Sequence, residues 1–339
     1  MNPLIREVVT TVGLEKPARH IYRTLRAKGL TPWAPLVPEE AFSACVRQAV
    51  ETLQELDPPE ALGDYLEFGV SRGSSMACTY RILRSAGLRH MRLIGFDSFE
   101  GLPPEAEREG WAAGDFHSSY EATRRYLKRR RVDLDRVMLV KGWFKDTLTE
   151  KTRQDFQIGT ASLIMVDCDI YSASKDVLNF CEPHIRRQAV VMFDDWGDRE
   201  EKDEIGQKEA FAEFLADHPD LAAEPMPAYS PQARVFLVRR LPEGTERHSL
   251  KRAFESVPDP ISLPKPAPGR APTYHRVSDR NSYPHRLRQL LLQRNVVTAV
   301  SVAALAGMIA IGLYTQEALV ELLGEYWGRN NKFGDLTTN

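Results

Sequence analysis

Between about Pro38 and Arg240, six short apolar runs alternate with longer amphipathic stretches, and this alternation limits the folds open to the chain more than any other feature. The runs are 65–70, 92–96, 137–140, 162–166, 189–193 and 233–238. Continuous apolar runs of this length suit strands buried on both faces. Parallel strands need crossover helices, which the stretches 42–56, 75–85, 119–130, 172–180 and 208–217 would supply. The expected fold is α/β, a mostly parallel sheet with helices on both faces over residues 38–242, preceded by a helical extension over 1–37.

The chemistry is written at the ends of the runs. The first ends in Glu67-Phe68-Gly69-Val70-Ser71-Arg72-Gly73-Ser74-Ser75. Gly69 and Gly73 allow a sharp turn and close approach to a ligand, with helix-terminal N–H groups as donors. Neither G-x-G-x-x-G nor G-x-x-x-x-G-K-[ST] is present, which weighs against dinucleotide and nucleoside-triphosphate binding. Glu67, just ahead of the glycines, suits an ammonium or a hydroxyl and would repel a pyrophosphate. The second run ends at Asp97, where an acid in such a fold accepts the hydroxyls of a ribose, although an isolated Asp there also reads as a turn cap. The fourth runs into Asp167-Cys168-Asp169 and the fifth into Asp194-Asp195-Trp196. Acids at the C-terminal ends of neighbouring parallel strands converge on the ligand crevice. Their mutual repulsion calls for a cation, and oxygen ligands favour Mg²⁺, Mn²⁺ or Ca²⁺. Asp169 has a second reading, as N-cap of the helix expected over 172–180.

Together, the segments YLEFGVSRGSS, FDSFEGLP, KGWFKDTL, VDCDIY and FDDW resemble the class I S-adenosylmethionine-dependent methyltransferases, and within them the macrocin O-methyltransferase family. The resemblance implies a Rossmann-like domain and a metal-assisted O-methyltransferase acting on a sugar hydroxyl. It implies that Glu67, Gly69, Gly73 and Ser74 contact the methionine part of the cofactor, that Asp97 takes the ribose, and that Asp167, Asp194 and Asp195 hold the metal. Asp167 would also serve catalysis. A divalent ion that stabilises the developing alkoxide suits the reaction and favours vicinal diols, in sugars or catechols. His117, in the loop after the second run, is a candidate base, with Lys141 and Lys145 as rivals. Ile170 stands where some catechol-type relatives carry Lys. A catechol-type methyltransferase and a non-catalytic membrane-bound scaffold are the alternatives.

The remaining length has another character. Within 243–294, Pro258, Pro260, Pro264, Pro266, Pro268 and Pro272 exclude a helix or a central strand, and Lys/Arg outnumber Asp/Glu, as expected of a basic linker. Residues 295–316 are free of charge, and a helix of that length spans about 33 Å against a hydrocarbon core of about 30 Å, which predicts one transmembrane helix followed by a short tail, 317–339. Arg286, Arg288 and Arg294 precede this run and Glu317, Glu321 and Glu325 follow it, which predicts a cytoplasmic catalytic domain on a single-pass membrane protein. The spacing of Ala303/Gly307 and Ala306/Ala310 permits pairing of two copies. A net charge of -2 gives no reason to expect nucleic acid as a partner, and four scattered Cys suggest neither disulfides nor zinc. The cationic run Arg124–Arg131 reads as a solvated helix face, with anionic substrate or lipid headgroups as the next reading.

Overall fold

The computed structural model describes residues 37–109, 111–196 and 205–242, together with 24, 27–29 and 35. The expectations for most of 1–37, the 243–294 linker, the 295–316 span and the 317–339 tail lie outside the described residues. Among those described, no helix is long and apolar enough to cross a membrane.

Seven strands form one sheet: β1 (Asp64–Phe68), β2 (Leu93–Asp97), β3 (Val137–Lys141), β4 (Ala161–Val166), β5 (Gln188–Phe193), β6 (Leu221–Met226) and β7 (Arg234–Arg240). The helices are α1 (Glu39–Leu56), α2 (Ser74–Ser85), α3 (Tyr120–Arg129), α4 (Phe144–Thr147), α5 (Glu150–Asp155), α6 (Tyr171–Cys181) and α7 (Gln207–Asp217). The strand order is β3-β2-β1-β4-β5-β7-β6, with β1 to β5 parallel. The order reverses between β1 and β4, the switch point where open α/β sheets bind ligands beyond the strand C-termini.

The period of two along each strand sorts the core into two layers. Tyr65, Leu93, Leu163, Met165 and Met192 pack with Phe42, Val46 and Val50 of α1 and Met76 and Leu83 of α2. Leu66, Phe68, Phe96, Val166 and Phe193 pack with Val177 and Phe180 of α6 and Phe211 and Phe214 of α7. Phe68 stacks on Phe96 with ring centroids 4.9 Å apart, and Phe180 meets Phe96 edge-on at 5.4 Å. Truncating one such buried ring costs ~3–5 kcal/mol.

The sheet departs from the expectation at one edge. The run 233–238 becomes β7, antiparallel to both neighbours, and β6 was not foreseen. The sequence LAAEPM carries no β-branched residue, and its Pro225 suits the edge position where a missing N–H costs no ladder bond. The short helices α4 and α5, between β3 and β4, are too brief for a helical period to be visible.

Candidate active site

The β1 turn is built on its two glycines. Gly69 has φ 93°, and a Cβ there would lie 1.6 Å from the carbonyl oxygen of Asp167, so the ends of β1 and β4 touch only because no side chain intervenes. Gly73 opens α2 at φ 85°, with Leu127 and Thr123 of α3 against it. Ser74 begins α2 and is half-buried.

Strand alternation sends Glu67 to the α2 side, where it is fully enclosed. Tyr65 donates to its Oε2 at 2.8 Å and Ser75, in the first turn of α2, to its Oε1 at 2.5 Å. Burial raises its carboxyl from 4.5 to about 7, against the pull of these two donors. Glu67 therefore lies beneath the turn and reaches it through Ser75.

Asp97, half-buried at the end of β2, accepts the N–H of Ser71 at 2.7 Å and of Phe99 at 2.5 Å. One carboxylate thus joins the glycine turn to the β2–α3 loop. Burial raises its pKa, while these N–H groups and the charge of His117 oppose the rise. His117 is exposed, and the carbonyl of its neighbour Phe116 accepts from Ser71 Oγ at 3.2 Å. The structure therefore sets His117 against the Asp97 side of the crevice.

On the far side of the switch point, carboxylate oxygens of Asp167, Asp194 and Asp195 lie within 4.8 Å of one another, each residue half-buried. Burial and then the charges of Asp194, Asp195, Asp169 and Glu67 push Asp167 well above the usual carboxylate range. Burial also raises Asp194, although Tyr229 donates to it at 2.5 Å. Three convergent hard oxygens that repel one another match the donor set of a small divalent cation.

Asp169 does not cap α6. The N-cap position belongs to Ile170, which makes no side-chain cap, and Glu109 supplies the carboxylate from the β2–α3 loop. It accepts the N–H of Tyr171 at 2.6 Å and the hydroxyl of Ser172 at 2.7 Å. Asp169 instead holds a left-handed φ of 64°, uncommon for a non-glycine residue. Lys145 pairs with Glu105 at 3.8 Å on the surface, and Lys141 is exposed opposite Asp97 in the strand register.

The model of the family described as Macrocin-O-methyltransferase (TylF) matches residues 26–218, more than half of the chain. This chain belongs to the macrocin O-methyltransferase family. It is 31% identical over 162 residues to demethyldecarbamoylnovobiocin O-methyltransferase of Streptomyces niveus, covering 44% of this chain and 58% of the relative. It is also 31% identical over 144 residues to 8-demethyl-8-(2,3-dimethoxy-alpha-L-rhamnosyl)-tetracenomycin-C 4'-O-methyltransferase of Streptomyces olivaceus, covering 40% of this chain and 53% of the relative. The matched region thus spans little more than half the length of these curated relatives. Among solved structures, the O-methyltransferase NovP is similar at 24% identity and a TM-score of 0.49, over 66% of this chain and 95% of that one. The strand order and the family together give the Rossmann-like α/β methyltransferase fold expected from the sequence.

In this member of the macrocin O-methyltransferase family, four further residues complete the site, of which only Arg72 lies within a segment that the sequence singled out. Tyr229 arrives from the β6–β7 connection to hold Asp194. Gln207 accepts the N–H of Asp195 at 3.0 Å and donates to the carbonyl of Val166 at 3.2 Å, tying the end of β5 to that of β4. Glu109 anchors the loop. Arg72, buried within the glycine turn, donates from Nε to Ser118 Oγ at 2.9 Å and fastens the turn to the start of α3.

Proposed function

We propose that the chain is an S-adenosylmethionine-dependent, divalent-cation-assisted O-methyltransferase whose acceptor is a hydroxyl of a sugar or glycoconjugate. The observation that carries this reading is the direct contact of two half-sites, since the Gly69 turn abuts the backbone of Asp167, the first acid of the carboxylate trio. A methyl donor held at the turn and a hydroxyl held at the trio would then be neighbours, which is what methyl transfer requires. The relative from Streptomyces olivaceus is named for a rhamnosyl-bearing substrate, which supports a sugar acceptor.

The residues divide the work. Asp97 takes the ribose hydroxyls, the space above Gly69 and Gly73 takes the methionine portion with Ser74 at its rim, and Glu67 provides the negative charge opposite the ammonium through Ser75. Asp167, Asp194 and Asp195 would hold a cation such as Mg²⁺, which when bound lowers the cost of deprotonating an acceptor hydroxyl. We assign acceptance of that proton to Asp169, whose charge acts on Asp167 and whose left-handed backbone marks a strained position next to the trio. His117 lies against Asp97, and Lys145 is paired with Glu105. Ile170 is buried beside Leu102 and Ala106, which offers no support for a catechol-type base there.

The membrane part of this reading rests on sequence. We assign 295–316 to a single span with the catalytic domain on the cytoplasmic side, supported by its length, its lack of charge and the arginines before it. Fractionation of the full chain tests it, and recovery in the soluble fraction alone would reject the span.

The activity is tested with radiolabelled S-adenosylmethionine and a panel of glycosides. Transfer to a sugar hydroxyl, abolished by EDTA and restored by Mg²⁺, is expected. Asp169→Asn should lower kcat by ~10²-fold while cofactor affinity is retained. Transfer that survives EDTA would remove the cation from the scheme, and an unchanged kcat in Asp169→Asn would remove the base.

A further inference from the structure

We propose that α3 and the turn that ends it carry a docking face for an anionic phospholipid surface, formed by Arg124, Arg125, Lys128, Arg129 and Arg131 with Lys28 beside them. The helix buries Ala122, Thr123 and Leu127 and turns Arg124, Arg125, Lys128 and Arg129 to solvent, and Arg131, in the turn that follows, is exposed as well. Arg125 donates to the carbonyl of Lys28, itself exposed, so a cation from a distant part of the sequence joins the patch.

Among the described residues no carboxylate pairs with any of these six groups, whereas Arg130, on the same segment, turns inward to Glu39. Glu121 is the one acid between Tyr120 and Arg131. The helix dipole favours Lys128 and Arg129 in the last turn but does nothing for Arg124 and Arg125. The spacings 124/128 and 125/129 set like charges on adjacent turns, which disfavours the helix in isolation. From 124 to 129 the helix rises about 8 Å, one Debye length at physiological salt, so an anionic plane meets these charges as one field.

The proposal rests on the membrane reading above, and the chain itself supplies the reason to choose lipid. A basic linker leads from this domain to the charge-free run 295–316, which would keep the domain near a membrane surface throughout. The inner face of α3 is also the wall of the cofactor turn, with Leu127 and Thr123 against Gly73 and the Thr123 hydroxyl on the carbonyl of Ser71. Docking through the outer face would hold the crevice beside the headgroups, where a lipid-linked sugar presents its hydroxyls.

The full chain, labelled with a fluorophore at Glu121→Cys, is mixed with vesicles of phosphatidylcholine alone or with phosphatidylglycerol, each carrying an energy acceptor on the headgroup. Cys45, Cys78, Cys168 and Cys181 are buried, which directs the label to position 121. Energy transfer is expected to rise with phosphatidylglycerol and fall with added salt. A variant combining Arg124→Gln, Arg125→Gln, Lys128→Gln, Arg129→Gln and Arg131→Gln should lose that dependence, with binding to anionic vesicles weakened ~1,000-fold or more. Its methyl transfer to a soluble glycoside should be unchanged, which certifies the fold. Equal dependence on phosphatidylglycerol in parent and variant would overturn the proposal. So would an unresponsive parent whose variant instead shows a raised KM for a phosphorylated acceptor, since the face would then steer substrate. If the full chain floats with neither vesicle type at high salt, the span fails, and binding to anionic vesicles at low salt still decides the docking face by itself.

Discussion

Burial holds the Glu67 carboxyl at about 7, up from 4.5, and this sets a pH dependence with a definite sign. Below pH 4.5 folded and unfolded chains both keep the proton and no penalty exists. Between 4.5 and about 7 the unfolded chain releases it while the folded one retains it, so stability declines as pH rises. The deficit is complete above about 7 and amounts to roughly 3 kcal/mol. Glu67→Gln is therefore expected to melt close to the parent at pH 5 and above it at pH 8, with weaker S-adenosylmethionine binding by calorimetry. An equal melting difference at both pH values would show that the carboxyl does not ionise in this range. A second residue-level test concerns Tyr229, which donates to Asp194 at 2.5 Å. Tyr229→Phe should weaken Mg²⁺ binding by ~10-fold in a calorimetric titration, since a ligand's hydrogen-bond partner sets its basicity and orientation. The partners of these two acids differ in how far the sequence shows them. Tyr65 and Ser75 flank Glu67 locally, but Tyr229 approaches Asp194 from 35 residues away.

The turns and helices show where local pattern sufficed. Glycines at 69 and 73 announced a tight strand-to-helix connection, and the helix after it begins at Ser74. Their necessity differs from that of a glycine that merely takes a left-handed turn. Gly87 also has positive φ, at 80°, yet a Cβ there meets nothing within 4 Å. Gly87→Ala should cost only the ~1–3 kcal/mol of left-handed strain, whereas Gly69→Ala must also part β1 from β4. Comparing the two by thermal denaturation and cofactor binding checks this, with a larger loss expected at 69 in both. Of the two readings of Asp169, the cap of α6 fails for a physical reason. Asp169 had the right residue type and spacing for a cap, but a carboxylate 62 residues before Tyr171 takes that role. Glu109→Ala should lower stability by about 1 kcal/mol and speed hydrogen exchange in residues 102–116 as well as in α6. Faster exchange confined to α6 would mean that the loop stands without it.

For the molecule as a whole, the sheet opposes a cofactor turn on one side of its switch point to an acid trio on the other. The two halves share one sheet, in which β1 pairs with β4. Divalent cations should therefore stabilise the chain by mass action, ~2.7 kcal/mol at a hundredfold excess over Kd. The upward shift in Tm with Mg²⁺ should vanish in Asp194→Asn and Asp195→Asn. A shift retained in both would relocate the ion.

Residue types and their short-range period were enough to determine the alternating α/β order, six of the seven strands, the glycine turn and the acids at the strand tips. These follow from burial and backbone geometry within a few residues, which one sequence displays directly. Only the tertiary structure decided that β7 runs antiparallel beside an added edge strand, that Glu109 and not Asp169 caps α6, and that Tyr229, Gln207 and Arg72 complete the site. Each of these depends on chain segments distant in sequence meeting in space, and a linear pattern carries no term for that meeting.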